Sequence, residues 1–553
     1  MTRFARHLPF LAWPRLTPAL ARNEAVSALT VALVMIPQSV AYAHLAGMPL
    51  IAGLYATFLP PLLSVLFSAS TRLSVGPSAL SSVLVGASLA GLAAPASAEW
   101  VMLAVWMALV AGFVQLALGA LRAAWVLNLV SSPILAGFSQ AAALLIIVSQ
   151  VPALLGLAGG IETLPQGPAH PTALAFGLGS VALFILGKRF APRLPMVLIV
   201  LLASAAIAKW TGWSAHGSVV GDLPAGFPSP YAPGWPTLAT LHAIVIPALV
   251  LALVSSLEMA ASAKIESQRD GKRWDANQDL IGQGVGKIAS AFSGSFPTST
   301  SFSRSALTLY SGAKTGWATV FAAAFVALAL LFFTPVLHHV PRAVLAAIVV
   351  AAVLNLVKPA TFWRVGRIDR IEAAIALVTF AVTLAAAPRI YWGVLAGVVL
   401  GLCHFLYMRL HPRIIEVGLH PDGSLRDRHL WKLEPLGPDV YALRMDGELD
   451  FASSTWFEEA IVDHIAAHPG TRHVVMFAQP INRIDTTGVE TFMQLRAMLE
   501  GRGIALHVSG IKLPVERVLE KAGALKASPL LHMYRTDAEA LEALRNNASV
   551  QAV

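Results

Sequence analysis

From residue 25 to residue 410 the chain passes through fourteen apolar segments, at about 25–45, 50–69, 75–92, 100–121, 126–150, 171–187, 195–212, 241–263, 277–293, 300–312, 316–336, 342–357, 371–387 and 390–410. A hydrocarbon layer about 30 Å thick is crossed by about 20 residues of apolar helix, and it admits only backbone whose N–H and C=O groups are satisfied within the protein. The pattern predicts a polytopic α-helical membrane protein with several short crossings. Composition agrees: 56% of residues are hydrophobic, 12% are charged and the mean hydropathy is +0.68, which excludes a soluble chain of this size.

Loop charges orient the segments. With a cytoplasmic N-terminus, the loops after even-numbered segments should hold the basic residues. Those loops carry Arg72, Arg122, Lys188 with Arg189 and Arg193, Lys264 with Arg269, Lys272 and Arg273, Lys314, and Arg364 with Arg367 and Arg370. The long loops at 151–170 and 213–240 hold no Lys or Arg and face outward. Residues 1–24, with Arg3, Arg6, Arg15 and Arg22 among apolar and proline residues, read as a cytoplasmic interfacial segment. The even count returns the chain to the cytoplasm at His411, so both termini are expected on the cytoplasmic side of the cell inner membrane. The formal charge of +9 is spread between apolar spans, which points to positive-inside loops and excludes a nucleic-acid surface. Ala41-Tyr42-Ala43 lies too deep for signal cleavage, and no cleaved leader is expected. A single cysteine, Cys403, excludes an internal disulfide framework and a multi-cysteine metal site; no metal site or cofactor is expected.

Fourteen segments divide into two sevens, and transporters made of inverted repeats carry interrupted helices in matching positions. Polar breaks fall in the third segment, at Ser74-Val75-Gly76-Pro77-Ser78, and in the tenth, at 294–305. Pro77 and Pro297 stand 220 positions apart, as do Gln38 and Glu258, the deepest polar residues of the first and eighth segments. The spacing predicts repeat one at 25–212 and repeat two at 241–411. The stretch Gly294-Ser295-Phe296-Pro297-Thr298-Ser299-Thr300-Ser301-Phe302-Ser303-Arg304-Ser305 is predicted to be extended up to about Thr300 and helical from Ser301. A new helix starting there presents unpaired N–H groups and a positive dipole end, with Arg304 one turn inside, which attracts anions.

From Trp431 the composition turns soluble. Strand-like runs at 441–445, 473–477 and 504–508 alternate with helical runs at 457–467, 487–500 and 515–522, predicting a small α/β domain over 432–546 with a tail at 547–553.

Several motifs together resemble the SulP anion permeases, called solute carrier family 26 in animals. They are Ile36-Pro37-Gln38-Ser39-Val40-Ala41-Tyr42-Ala43, Gly53-Leu54-Tyr55-Ala56, Val75-Gly76-Pro77, Leu257-Glu258 with Ala263-Lys264, Asp275-Ala276-Asn277-Gln278 and Ser301-Phe302-Ser303-Arg304-Ser305. The tail resembles a STAS domain, with Asp485-Thr486-Thr487-Gly488 at that module's turn. The resemblance implies two inverted seven-segment repeats, a core domain of segments 1–4 and 8–11 that slides like an elevator against a gate domain of segments 5–7 and 12–14, and an anion held between the N-termini of helices three and ten. Where many relatives have glycine near Thr300, this chain has Ser299-Thr300-Ser301.

The expected substrate-binding residues are Gln38, Tyr42, Ser78, Thr300, Ser301, Ser303 and Arg304. Ser301, Ser303 and Thr300 also fit a helix cap, and Gln38 and Tyr42 share one helix face. Glu258 has no basic residue at i±3 or i±4; apolar burial penalises its ionised form, so it suits a carrier of a coupled proton. Pairing to Arg304 or Lys287 is the static alternative, and Lys287 has no role legible in the sequence. Thr486 fits either a helix N-terminus or, by analogy, a phosphorylation site. No nucleophile–base–acid set is present, so an enzyme is not expected. The leading expectation is a secondary active symporter of a small anion, such as a sulfate-type oxyanion, bicarbonate or a dicarboxylate, coupled to H+ or Na+. A sodium-coupled bicarbonate symporter and an uncoupled exchanger or channel stay open; a nucleobase permease ranks low because the tenth segment has Arg304 and no carboxylate. The expected partners are the anion, the lipid membrane, a second copy of the chain as a homodimer, and a cytoplasmic regulator acting through the STAS domain.

Overall fold

The computed structural model describes residues 8–157, 170–191, 194–213 and 217–551. Arg3, Arg6, Arg193, parts of the 151–170 and 213–240 loops and the last two residues of the tail lie outside them. The chain divides into two compact units, Met1–Gly401 and Leu402–Val553.

Each of the fourteen predicted segments holds a helix. The first repeat gives α1 (Pro18–Leu45), α2 (Ile51–Phe67), a two-residue strand β1 (Val75–Gly76), α3 (Ala79–Leu89), α4 (Ala98–Ala120), α5 (Ser132–Leu154), α6 (Pro171–Phe190) and α7 (Met196–Trp210). The second gives α8 (Leu238–Asp270), α9 (Ala276–Phe292), β2 (Ser299–Thr300), α10 (Phe302–Tyr310), α11 (Trp317–Leu337), α12 (Arg342–Val353), α13 (Ala360–Ile368), α14 (Arg370–Ala385) and α15 (Tyr391–Leu410). The short α13, which carries Arg364 and Arg367 and buries none of its residues, was not expected from the sequence.

Local chemistry sets the boundaries. α1 starts at Pro18, inside the predicted interfacial segment, because Thr17 caps it by accepting from the Leu20 amide at 3.3 Å and proline suits the first turn. Ahead of it, Trp13 packs edge-on to Trp317 at 5.7 Å. α8 runs 33 residues, from a Thr237 cap to a left-handed Gly271, and so spans about 50 Å. That exceeds the hydrocarbon thickness, so the end bearing Glu266 and Asp270 projects beyond it. There Arg72, just before β1, pairs with Glu266 at 3.1 Å and with Asp270. The buried Asp279 of α9 accepts from the Ser70 amide at 2.8 Å and the Trp274 indole at 2.8 Å.

α3 and α10 have only 11 and 9 residues, about 16 and 14 Å, too short to cross. They are half-helices, each fed by one strand of an antiparallel ribbon that pairs Val75 with Thr300 and Gly76 with Ser299. The cap residues are Ser78 and Ser301, 223 positions apart, whereas α1 and α8 start 220 apart. Pro77 directly precedes its cap and Pro297 lies four residues ahead of the other, so the two prolines are not structurally equivalent. The seven-plus-seven repeat stands, with three extra residues ahead of α10.

Within this unit α4 packs on α9, α2 on α9 and α11, and α1 on α11, while α5 packs on α12 and α14, and α6 on α12. These are the core and gate groupings. In the core, α4 and α9 meet backbone to backbone: a β-carbon on Gly284 would stand 2.7 Å from the Gly112 carbonyl. With lipid as apolar as the helices, such close approach supplies the dispersion contact that holds them.

The second unit carries a six-stranded sheet in the order β4 (Leu425–Asp427), β3 (Arg413–Leu419), β5 (Val440–Asp446), β6 (His473–Phe477), β7 (Ala505–Ser509) and β8 (Leu531–Tyr534). β3 is antiparallel to its neighbours and β5 to β8 are parallel. Helix α16 (Arg428–Trp431) follows β4, and α17 (Ser454–Ala467), α18 (Thr486–Gly501) and α19 (Leu513–Lys521) cover one face. α20 (Asp537–Gln551) covers the other through Leu541 and Leu544. The sheet therefore begins at Arg413, ahead of the predicted start at 432. Ile414, Ile415 and Val417 follow the last apolar helix so closely that composition does not separate them from it.

Candidate functional site

The ribbon continues past its two paired positions, because the Ser301 amide donates to the Ser74 carbonyl at 3.0 Å and the Ser74 amide to Ser305 Oγ at 2.9 Å. These bonds satisfy the irregular backbone inside the protein and hold the starts of α3 and α10 together. Ser78 caps α3, its hydroxyl accepting from the Ser81 amide at 3.3 Å. Ser301 begins α10 without a side-chain cap bond, so the first-turn amides keep no hydroxyl partner from it.

Glu258 of α8 lies beside the ribbon. Its carboxylate accepts from Ser78 Oγ at 3.0 Å and from Ser299 Oγ at 2.5 Å. Among the described residues no arginine or lysine comes within ion-pair distance of it, so its close partners are neutral hydroxyls instead of Arg304 or Lys287.

Arg304 is 2% exposed, one turn into α10. Its Nε donates to Ser74 Oγ at 3.3 Å, while Nη2 is buried with no hydrogen-bond partner among the described residues. A buried, unpaired guanidinium donor costs on the order of 1–3 kcal/mol unless another oxygen accepts from it. Nη2 lies against Gly76, whose φ of +151° suits glycine and whose missing side chain makes the space.

The remaining predicted residues divide. Tyr42 of α1 is 5% exposed and feels the charges of Arg304 and Glu258. Gln38, one turn earlier, has a buried Oε1 without a partner among the described residues. Ser301 is buried and Ser303 exposed, their hydroxyls 3.4 Å apart on the opening turn of α10. Thr300 is turned toward α9, where its hydroxyl accepts from Gln283 Nε2 at 2.8 Å. The structure adds Ser74, Gly76 and Ser299. All three lie in the two polar breaks, yet nothing in the sequence marks Ser299 as the hydroxyl aimed at Glu258.

In the second unit Asp485 caps α18 by accepting from the Gly488 amide at 2.9 Å and also accepts from the Phe451 amide at 3.0 Å. Thr486 is exposed on the first turn.

Two interrupted helices thus start from one ribbon, beside a buried arginine. The profile of the sulfate permease family matches residues 22–379. The chain belongs to this family. A STAS domain profile matches residues 436–540 of the permease. It is 30% identical over 536 residues to a protein of Mycobacterium tuberculosis named as a probable sulfate transporter, covering 95% of both chains. Its fold is similar to that of the murine solute carrier 26 family member A9 anion transporter in the inward-facing state, with a TM-score of 0.87, 20% identity and coverage of 99% of this chain and 95% of that one. The transmembrane domain of the cyanobacterial bicarbonate transporter BicA matches with a TM-score of 0.60 and 20% identity, over 70% of the permease and 98% of that chain. The permease is thus an anion-transporter family member with an inverted-repeat transmembrane domain and a STAS domain, and not an enzyme.

Proposed function

We propose that this permease is a secondary active transporter that moves a small oxyanion of the sulfate type into the cell together with a proton. The observation that carries the reading is the pairing, at one ribbon, of a buried arginine and a carboxylate: among the described residues the arginine has an unused donor and the carboxylate is held only by hydroxyls. Arg304 Nη2, the opening amides of α10, and Ser301 and Ser303 offer donors to an oxyanion, and Ser78 joins them when a protonated Glu258 no longer accepts from it, with Gln38 and Tyr42 as the wall and Thr300 bracing the ribbon from behind. A carboxylate among hydroxyls is able to be neutral or ionised without breaking an ion pair, which suits a proton carrier; sodium wants several anionic or carbonyl oxygens at once. Support for an oxyanion comes from the similarity to a probable sulfate transporter.

The core (α1–α4 and α8–α11) carries the site and slides against the gate (α5–α7 and α12–α15) like an elevator. The protein resides in the inner membrane with both termini cytoplasmic, acts as a homodimer, and receives regulatory input through its STAS domain, with Thr486 as the candidate phosphorylation site.

Uptake of labelled sulfate into proteoliposomes under imposed proton and sodium gradients, with bicarbonate and dicarboxylates as competitors, tests the reading. Accumulation driven by an acid exterior is expected. Uptake that ignores both gradients replaces symport by exchange or a channel, and preferential competition by bicarbonate with sodium dependence selects a sodium–bicarbonate symporter.

A further inference from the structure

Lys287 of α9 is fully buried in the middle of the core. Among the described residues its Nζ makes one hydrogen bond, to Gln115 Oε1 of α4 at 2.9 Å. The orientation of that amide is fixed from the other side. Gln115 Nε2 donates to the Ala252 carbonyl at 3.1 Å, to Ser255 Oγ at 2.9 Å and to Ser256 Oγ at 2.8 Å. Both serine hydroxyls donate to the same Ala252 carbonyl. A carbonyl only accepts, so the amide nitrogen must face α8 and the amide oxygen must face Lys287. An oxygen held in place at a buried amine gives an ammonium there one fixed acceptor, and a charge-assisted bond is the stronger kind.

The same network reaches the site. Ser255 lies one helical turn before Glu258 on α8, and Lys287 and Glu258 feel each other's charge. Among the described residues, α4 presents Gln115 and α2 presents Ser64 and Ser68 against this part of α9, none of them charged. Asp279 of α9 sits two turns away, held by Ser70 and Trp274.

We infer that Lys287 is the fixed counter-charge of Glu258, offsetting the ionised carboxylate so that the charge of Arg304 stays available to the anion. The inference rests on the proposed anion transport and adds its charge balance. Arg304 and Lys287 against an ionised Glu258 leave one net positive charge; a proton on Glu258 makes it two. The unprotonated site is matched to a monoanion, and the protonated site to a dianion such as sulfate. Without Lys287, the ionised site has no net charge to offer.

The test is sulfate binding by titration calorimetry to the full-length protein in lipid nanodiscs. Lys287→Gln should weaken sulfate about tenfold or more, and Lys287→Arg should stay within about threefold of wild type, because the cation is kept. Gln115→Glu, which leaves the lysine but neutralises it, should weaken sulfate to a similar degree and serves if Lys287→Gln fails to fold. At pH 9, Glu258→Gln added to Lys287→Gln should bind more tightly than Lys287→Gln alone, since it removes the charge the lysine offset. A lysine that only packs the core predicts that Lys287→Arg weakens sulfate as much as Lys287→Gln does. Unchanged affinity in Lys287→Gln or Gln115→Glu, or no recovery in the double variant, overturns the inference while wild type still binds sulfate. If wild type binds no sulfate, the reading of the site as an oxyanion site fails first and takes the inference with it.

Discussion

Gly76 and Arg304 are built against each other across the ribbon: a β-carbon on Gly76 would stand 3.3 Å from Arg304 Nη2, on a backbone whose φ is +151°. The smallest residue of one break makes room for the charge of the other. Gly76→Ala should therefore disturb the guanidinium and strain β1 together, lowering sulfate affinity about five- to fiftyfold in a protein that still inserts. Arg304→Ala should lower it by on the order of 1–3 kcal/mol, about five- to 150-fold. Equilibrium binding with purified variants checks both, and an Arg304→Ala protein with wild-type affinity would remove the arginine from the site.

The STAS unit contains a pH-dependent element. His507 is fully buried on β7, its Nε2 3.1 Å from His473 Nδ1 and its Nδ1 3.2 Å from the Tyr534 hydroxyl, with His532 stacked at 4.8 Å. Burial first, and then the neighbouring His532 and His473, push its pKa down to about 3. An unfolded histidine titrates near 6.5. Between those values the unfolded chain binds a proton that the folded one does not, so this contribution is fully present above about pH 6.5 and is lost as pH falls toward 3. Hydrogen-exchange protection of the β7 amides, corrected for intrinsic rates, should drop about tenfold between pH 7.5 and 5.5. Protection that stays flat, or that falls equally in His507→Gln, would show that this histidine does not govern it.

Asp485 and Thr486 are adjacent but have different work. Asp485 satisfies the Gly488 and Phe451 amides, so Asp485→Ala should destabilise the STAS unit by about 1–2 kcal/mol. Thr486 is exposed, and Thr486→Ala should leave stability within about 0.5 kcal/mol. Chemical denaturation of the two variants separates them. Equal losses would mean that the threonine, too, belongs to the cap.

Fourteen apolar runs were enough to read the transmembrane fold, because hydrocarbon admits so few backbone structures. The two polar breaks were visible for the same reason. What the sequence hid were contacts between distant positions. Ser78 reaches Glu258 across 180 positions, and Lys287 reaches Gln115 across 172. Neither pair has a local period or motif, so Lys287 looked like a lysine without a task. The offset of 220 described the first helices of each repeat but not the half-helix caps, since the second break holds three more residues. β3 was missed because Ile414 and Ile415 follow an apolar helix directly, and hydrophobicity carries no label for which unit it belongs to.

The coupling prediction follows from the partners of Glu258. Ser78 and Ser299 donate to its carboxylate, and a hydroxyl can turn to accept instead, so the geometry survives protonation. An ionised carboxylate near a bound anion is penalised by like-charge repulsion and by the apolar surroundings, and a proton removes both penalties. Proton and anion should therefore bind with positive, reciprocal linkage: acid tightens the anion, and the anion tightens the proton by the same factor. Glu258→Gln, which mimics the neutral acid, should keep sulfate binding and exchange, lose its dependence on pH, and no longer concentrate sulfate under a proton gradient. A sodium site would behave differently, with uptake following the sodium gradient and sodium-dependent binding lost in Glu258→Gln, because an amide cannot supply the charge a cation needs. Sulfate uptake and counterflow in proteoliposomes of both proteins distinguish the cases. If Glu258→Gln still accumulates sulfate against its gradient when the exterior is acid, another group carries the proton.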